Sequence, residues 1–176
     1  ARAVVAVEDE RFFQHKGVDT VGLARALAID IATRSVKEGA STTTQQYTRN
    51  TILLADRYDL TPKRKIREMY LASELEKRYT KSQILEKYLN AVYFGGGAYG
   101  AEAAAREYCG KHANELTLAE ASLLAGLPQS PISLNPYYNR AGADSRQRWV
   151  LGRMVANKYI TKAQADAALK EHPALK

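Results

Sequence analysis

The chain holds a single cysteine, Cys109, and three histidines. No internal disulfide is possible and no Cys/His cluster has the spacing of a zinc site, so disulfide scaffolds and zinc modules are excluded. Long apolar runs are missing too. None approaches the roughly 18 to 20 residues of a membrane span, and no charged, apolar, small-residue signal segment opens the sequence, so these residues are expected to be soluble. An anchor upstream of the short apolar run Ala3 to Val7 stays open. There is no Gly/Ser/Pro-rich linker, repeat or low-complexity stretch, which makes residues 1–176 one compact domain. β-Branched residues never alternate with polar ones over a useful length, so no strand is expected and the fold class is mainly α.

At 45% apolar residues the chain can bury a sizeable core. Its 26 Lys+Arg against 19 Asp+Glu leave a net charge of +7, which points to an anionic partner: nucleic acid, a lipid surface or a phosphorylated substrate. Helix signals dominate. After Asp19, Leu23, Ala24, Leu27, Ala28 and Ile31 recur at helical spacing. Thr80 with Gln83, Thr117 with Glu120, and Thr161 with Gln164 have the spacing of capping boxes, and Thr61 before Pro62 marks a further helix start. Ile84, Leu85, Tyr88, Leu89 and Val92 form one apolar stripe, with Glu86 and Asn90 facing away. On the Pro62 helix, Ile66, Met69 and Tyr70 lie on one face and Leu71 and Leu75 nearly opposite, so it is expected to be central and apolar on both sides.

Four motifs bear on chemistry. Gly95, Gly97 and Gly100 spell G-x-G-x-x-G, but a helix precedes them where a dinucleotide-binding turn needs a strand, so a helix stop and tight loop explains them better. Glu8-Asp9-Glu10, followed by Phe12, His15 and Gly17, reads either as an acidic helix start or as a carboxylate, Glu8, held against apolar neighbours where desolvation suits it to acid–base work. Gly39 to Gln46 is a run of hydroxyls and amides that is either a polar loop leading into a helix or a cradle for sugar hydroxyls and phosphate oxygens. Lys63, Arg64 and Lys65 put three cations in a first helical turn, against the helix dipole. Glu68, expected half-buried, has Arg64 and Lys65 as its i−4 and i−3 neighbours, which is either a structural ion pair or a carboxylate kept ionised among cations for function.

Taken in order, these blocks resemble the peptidoglycan glycosyltransferase domain, glycosyltransferase family 51, of class A penicillin-binding proteins and monofunctional transglycosylases. E-D-x-x-F-x-x-H-x-G matches Glu8, Asp9, Phe12, His15 and Gly17. G-x-S-T-x-T-Q-Q runs from Gly39 to Gln46, R-K-x-x-E is Arg64, Lys65 and Glu68, I-L-E-x-Y-L-N is Ile84 to Asn90, and a last block spans Glu120 to Pro136. Cys109 stands where the family usually has an aromatic, and Arg49 where lysine is common. The resemblance implies a lysozyme-like fold with a head and a smaller, membrane-facing jaw. The implied reaction polymerises lipid II with inversion and release of undecaprenyl diphosphate, at the extracytoplasmic face of the bacterial cytoplasmic membrane. Glu8 would be the general base and Glu68 the second essential carboxylate, near the diphosphate. Asp9, Phe12, His15, Ser41, Thr42, Gln45, Gln46, Arg49, Asn50, Arg57, Arg64 and Lys65 would bind substrate. A divalent metal ion, Mg2+ or Mn2+, would lie near Glu68, and moenomycin-type inhibitors would bind in place of the donor. Ile52, Leu53 and Leu54, flanked by Arg49 and Arg57, would meet the bilayer.

Simple chemistry favours transfer over hydrolysis. A glycosidase flanks its bond with two carboxyls because an alkoxide leaving group needs a proton. A diphosphate leaves as an anion and needs cations instead. One lone acidic candidate and a second inside a basic cluster fit the latter. The competing expectations are a lysozyme-like hydrolase and a basic helical nucleic-acid-binding module. Against the second, acids interleave with the basic residues and no aromatic platform stands out, so no nucleic-acid partner is expected.

Overall fold

The computed structural model describes residues 1–25, 41–56 and 58–176. Among its helices are α1 (Arg2–Glu8), α2 (Thr43–Thr51), α3 (Pro62–Arg78), α4 (Lys81–Ala91), α5 (Ala101–Cys109), α6 (Leu118–Ala125), α7 (Arg140–Ala156) and α8 (Lys162–Glu171), with 3-10 turns at Leu54–Asp56, Ala113–Glu115 and Leu127–Gln129. Among the described residues there is no strand, only an isolated bridge between Tyr93 and Tyr99. The residues group into two units, Ala1–Glu10 with Leu89–Lys176, and Arg11–Tyr88.

The first unit is built on apolar helices. α1 buries Ala3, Val4, Val5 and Ala6; four consecutive positions cover every side of a helix, and such a helix belongs inside a core. It packs on α6 and α7. α6 supplies Leu123 and Leu124 and α7 supplies Val150, Leu151 and Met154, all buried, and each such side chain contributes about 1.5 to 3 kcal/mol on leaving water. Gln147 Nε2 donates to Ala119 O at 2.8 Å, which ties α7 to α6 without leaving a polar group unmet in the core. Thr117 and Thr161 cap α6 and α8 with complete capping boxes, as their spacing with Glu120 and Gln164 requires. α5 stops at Gly110, whose φ of 66° is the left-handed end that glycine supplies.

The second unit has a polar interior. Thr42 caps α2 in a capping box with Gln45 and donates from Oγ1 to Gly17 O at 2.6 Å. Gly17 must be glycine, because φ is +90° and a Cβ would stand 2.8 Å from Ala72 O. Thr43, Thr44 and Thr48 are wholly buried where α2 packs on α3, with Thr48 Oγ1 donating to Thr44 O and Thr44 Oγ1 to Glu76. Thr61 caps α3 ahead of Pro62, and Thr80 with Gln83 closes the start of α4. The α4 stripe is as expected, with Ile84, Leu85 and Tyr88 buried.

Three expectations change. The acidic triplet is not a helix start: Glu8 ends α1 and Asp9 is its C-cap. α3 is not apolar on both sides, since its buried residues are Arg64, Glu68 and Ala72 while Ile66 and Tyr70 are exposed. The helix after Asp19 begins at residue 20, with Leu23 exposed; Leu27, Ala28 and Ile31 lie outside the described residues, as do Gly39 and Arg57.

Candidate active site

A buried carboxylate organises the second unit. Every atom of Glu68 is out of solvent, which corrects the half-buried expectation, and an isolated charge there would cost several kcal/mol. Arg64, one turn earlier and itself buried, pairs with Oε2. Lys65 Nζ lies 2.6 Å from Oε1, and Arg49 Nη1 on α2 reaches to 3.9 Å of Oε2. Three cations surround one anion, a surplus of two positive charges. Lys65 and Arg49 are about a third exposed, so that surplus faces solvent. Lys65 also donates to Ser41 Oγ at 2.7 Å and Gln45 Oε1 at 3.4 Å, which employs all three of its N–H groups. The site is thus a preset cationic surface braced from beneath by Glu68.

This donor set does not suit a divalent ion at Glu68. Both carboxylate oxygens already accept from cations, whereas Mg2+ needs open oxygen ligands in octahedral array. Among the described residues no three His, Cys, Asp or Glu converge as a metal cage.

The remaining candidates of this unit have structural neighbours. Gln46 Oε1 accepts from Tyr88 at 3.0 Å, and Thr42 and Gln45 close the α2 cap. Asn50 is half-buried on α2. Phe12 is fully buried under Lys81, whose Nζ is 4.4 Å from its ring centre. His15 lies 3.5 Å from Lys81 Nζ and 4.0 Å from Glu76 Oε1. Glu76 and Lys81, paired at 2.7 Å, thereby seat the loop that carries Phe12 and His15 ahead of Gly17.

In the first unit, Glu8 closes α1, where a carboxylate opposes the helix dipole. A residue placed against its local electrostatic preference invites a functional account. Arg146 of α7 feels that charge: burial pulls the Arg146 pKa below the usual arginine range, and the Glu8 carboxylate pushes it back up. Asp9 is buried beside it. Glu10 pairs with Arg153.

Residues 1–155 match the family model described as Transglycosylase. The chain belongs to the transglycosylase family. Among curated relatives of this transglycosylase domain, penicillin-binding protein 1A of Haemophilus influenzae is 46% identical over 169 residues, 96% of this chain and 20% of the relative. Penicillin-binding protein 2D of Bacillus subtilis is 45% identical over 170 residues, 97% of this chain and 24% of the relative. The domain therefore spans about a fifth to a quarter of the length of the relatives it matches. A solved structure of the Haemophilus influenzae protein is similar, with a TM-score of 0.53 and 46% identity over 56% of this chain and 15% of that chain. The fold is mainly helical and lysozyme-like.

Four residues near these sites escaped sequence reasoning. Glu76 and Lys81 are five apart and lie on different helices, so no helical spacing links them. Arg146 and Arg153 belong to a helix that also carries Arg140 and Arg148, which reads as a solvated basic face.

Proposed function

We propose that this transglycosylase domain is a peptidoglycan glycosyltransferase, polymerising lipid II into linear β-1,4 glycan with inversion and release of undecaprenyl diphosphate. One observation carries the proposal: a buried Glu68 braced by Arg64, Lys65 and Arg49 with two positive charges in surplus. A diphosphate leaving group develops negative charge as its bond breaks, and preorganised cations stabilise it at the moment it forms. A hydrolase releasing a sugar alkoxide would need a carboxyl free to donate a proton there instead, and both oxygens of Glu68 already accept from Arg64 and Lys65. Glu8 is the general base that takes the proton from the acceptor's 4-hydroxyl. Ser41, Gln45, Arg49, Arg64 and Lys65 serve the donor's diphosphate and sugars, Gln45 and Arg64 from buried positions beside Lys65 and Glu68. Asp9, Phe12, His15, Thr42, Gln46, Asn50 and Arg57 complete the residues assigned to substrate.

The same reading places the domain at the extracytoplasmic face of the bacterial cytoplasmic membrane, against the lipid of its donor, with moenomycin-type inhibitors as competitors. No described helix is long and apolar enough to cross a membrane. The test is incubation of the full chain with purified lipid II in detergent, with and without divalent cation. Glycan ladders on a gel that vanish with moenomycin are expected. Release of sugars from finished peptidoglycan, with no ladder from lipid II, would replace this reading by the hydrolase.

A further inference from the structure

Residues 11–17 form turns and bends only, yet the segment is braced at three points. At its end, Gly17 O accepts from Thr42 Oγ1, and the glycine lies so close to the backbone of α3 that a Cβ would meet Ala72 O. At its start, Arg11 pairs with Asp19 at 3.5 Å, and Gln14 N donates to Arg11 O at 2.7 Å, which closes a tight turn. Between these points Phe12 is wholly buried, with Lys81 Nζ over its ring. That ammonium also donates to Glu76 Oε1, which accepts from Thr44 Oγ1 of α2 at 2.6 Å. One buried carboxylate and one lysine thus tie the loop to α2, α3 and α4.

This frame holds out Phe13. Its ring meets Phe12 edge-on, with centroids 5.1 Å apart and planes at 75°, and the residue is 58% exposed. Its neighbours along the loop, Gln14 and Lys16, are exposed and polar. A single apolar face among hydrogen-bonding side chains matches a pyranose, which has a face of C–H groups and a rim of hydroxyls. A lipid tail asks instead for contiguous apolar surface.

We infer that Phe13 contacts substrate by stacking on one of its sugar rings, and that Phe12, Lys81 and Glu76 are positioning residues for Phe13. The inference deepens the reading of this domain as a glycosyltransferase and rests on it. Phe12 has no exposed surface, so the loop reaches substrate through the ring beside it. An aromatic ring fixed before binding loses little rotamer freedom on contact, which is how a rigid side chain contributes affinity. The buried pair has the same purpose. An apolar side chain at position 81 would cover Phe12 without taking two charges out of water, so Glu76 and Lys81 supply placement rather than stability.

The test measures kcat and KM for lipid II in detergent with the full chain. Phe13→Ala is expected to raise KM roughly threefold to tenfold with kcat little changed, the signature of lost binding. Phe13→Tyr keeps a ring and keeps KM, whereas Phe13→Leu, apolar without a ring, behaves as the alanine variant. Phe13 is exposed, so these variants retain the fold and decide the ligand whatever the brace variants do. A parental KM in Phe13→Ala overturns the inference, and so does a parental KM in Phe13→Leu, because the position would then ask only for apolar bulk.

For the brace, Glu76→Gln combined with Lys81→Met removes both charges and leaves neither buried alone. The pair is expected to raise KM as Phe13→Ala does, while melting close to the parent by circular dichroism, and Lys81→Arg to keep the parental KM. Added to Phe13→Ala, the pair should raise KM no further, since it acts through that ring. A full additional rise overturns the positioning role. Failure of the underlying reading looks different: the parent itself would then make no glycan ladder from lipid II, and the inference would fall with it.

Discussion

At the scale of single residues, Arg64 and Lys65 hold the same carboxylate yet do different things. Arg64 is buried with Glu68, and removing one member of a buried pair leaves an uncompensated charge that costs about 3 to 5 kcal/mol. Arg64→Ala is thus expected to lower the melting temperature and activity together. Lys65 is a third exposed, so Lys65→Ala leaves Arg64 on Glu68 and removes a charge from the substrate side. Turnover should fall roughly tenfold or more with a much smaller change in melting temperature, since a charge-assisted contact is worth about 1.5 to 3 kcal/mol. Equal melting losses with full activity in both variants would make the cluster purely structural. The i−4 and i−3 spacing around Glu68 was legible in the sequence because it is local. Its depth was not, because burial depends on Ser41, Gln45 and Arg49, some twenty residues away in the chain.

At the scale of elements, starts were easier to read than faces. Thr61, Thr80, Thr117 and Thr161 cap their helices through hydrogen bonds that span three residues, so the sequence holds the whole signal. The polar interior between α2 and α3 has no such signature: Thr43, Thr44 and Thr48 look like loop residues until Glu76 and Thr44 O are placed beside them. The end of α1 is hidden for a related reason, since Glu8 and Asp9 stand at the close of a helix and no local spacing separates that from an acidic start. The α5 region allows a pH test. Glu102 accepts from Ala113 N at 2.9 Å and Arg106 Nε at 2.7 Å, and lies 2.8 Å from His112 Nδ1. The Ala113 N–H first, then Arg106 and His112, hold its carboxyl down to about 2 from 4.5. A carboxyl depressed by folding stabilises the fold above its unfolded pKa, and that contribution fades as pH falls from 4.5 toward about 2. Glu102→Gln should therefore melt lower than the parent at neutral pH, with the gap closing near pH 2. A gap independent of pH would mean that the carboxylate charge contributes nothing.

At the scale of the whole molecule, the excess of positive charge belongs to a unit that also carries many exposed apolar side chains. Residues 11–88 hold 15 Lys+Arg against 9 Asp+Glu, a net of +6, while the remaining residues hold 11 against 10, a net of +1. In that basic unit Ile52, Leu54, Tyr58, Leu60, Ile66 and Tyr70 are all at least half exposed, whereas Leu53 is buried. The expectation for residues 52–54 is thus corrected at its centre: Leu53 is core, and the exposed apolar residues continue instead through Ile66 and Tyr70, one turn apart on α3 beside Lys63 and Arg67. Apolar side chains among cations are what an anionic bilayer surface accommodates, with the chains in the acyl boundary and the charges at the head groups. The full chain is expected to sediment with vesicles containing anionic lipid, less so as salt rises. Changing Ile52, Leu54 and Ile66 together to Ser should weaken that binding roughly tenfold or more, because each removes several methylene groups from the interface at about 0.8 kcal/mol apiece. Leu53→Ser alone should leave vesicle affinity in place and lower the melting temperature. If the triple variant binds vesicles as well as the parent, the basic charge acts without these side chains and the membrane contact lies on another surface.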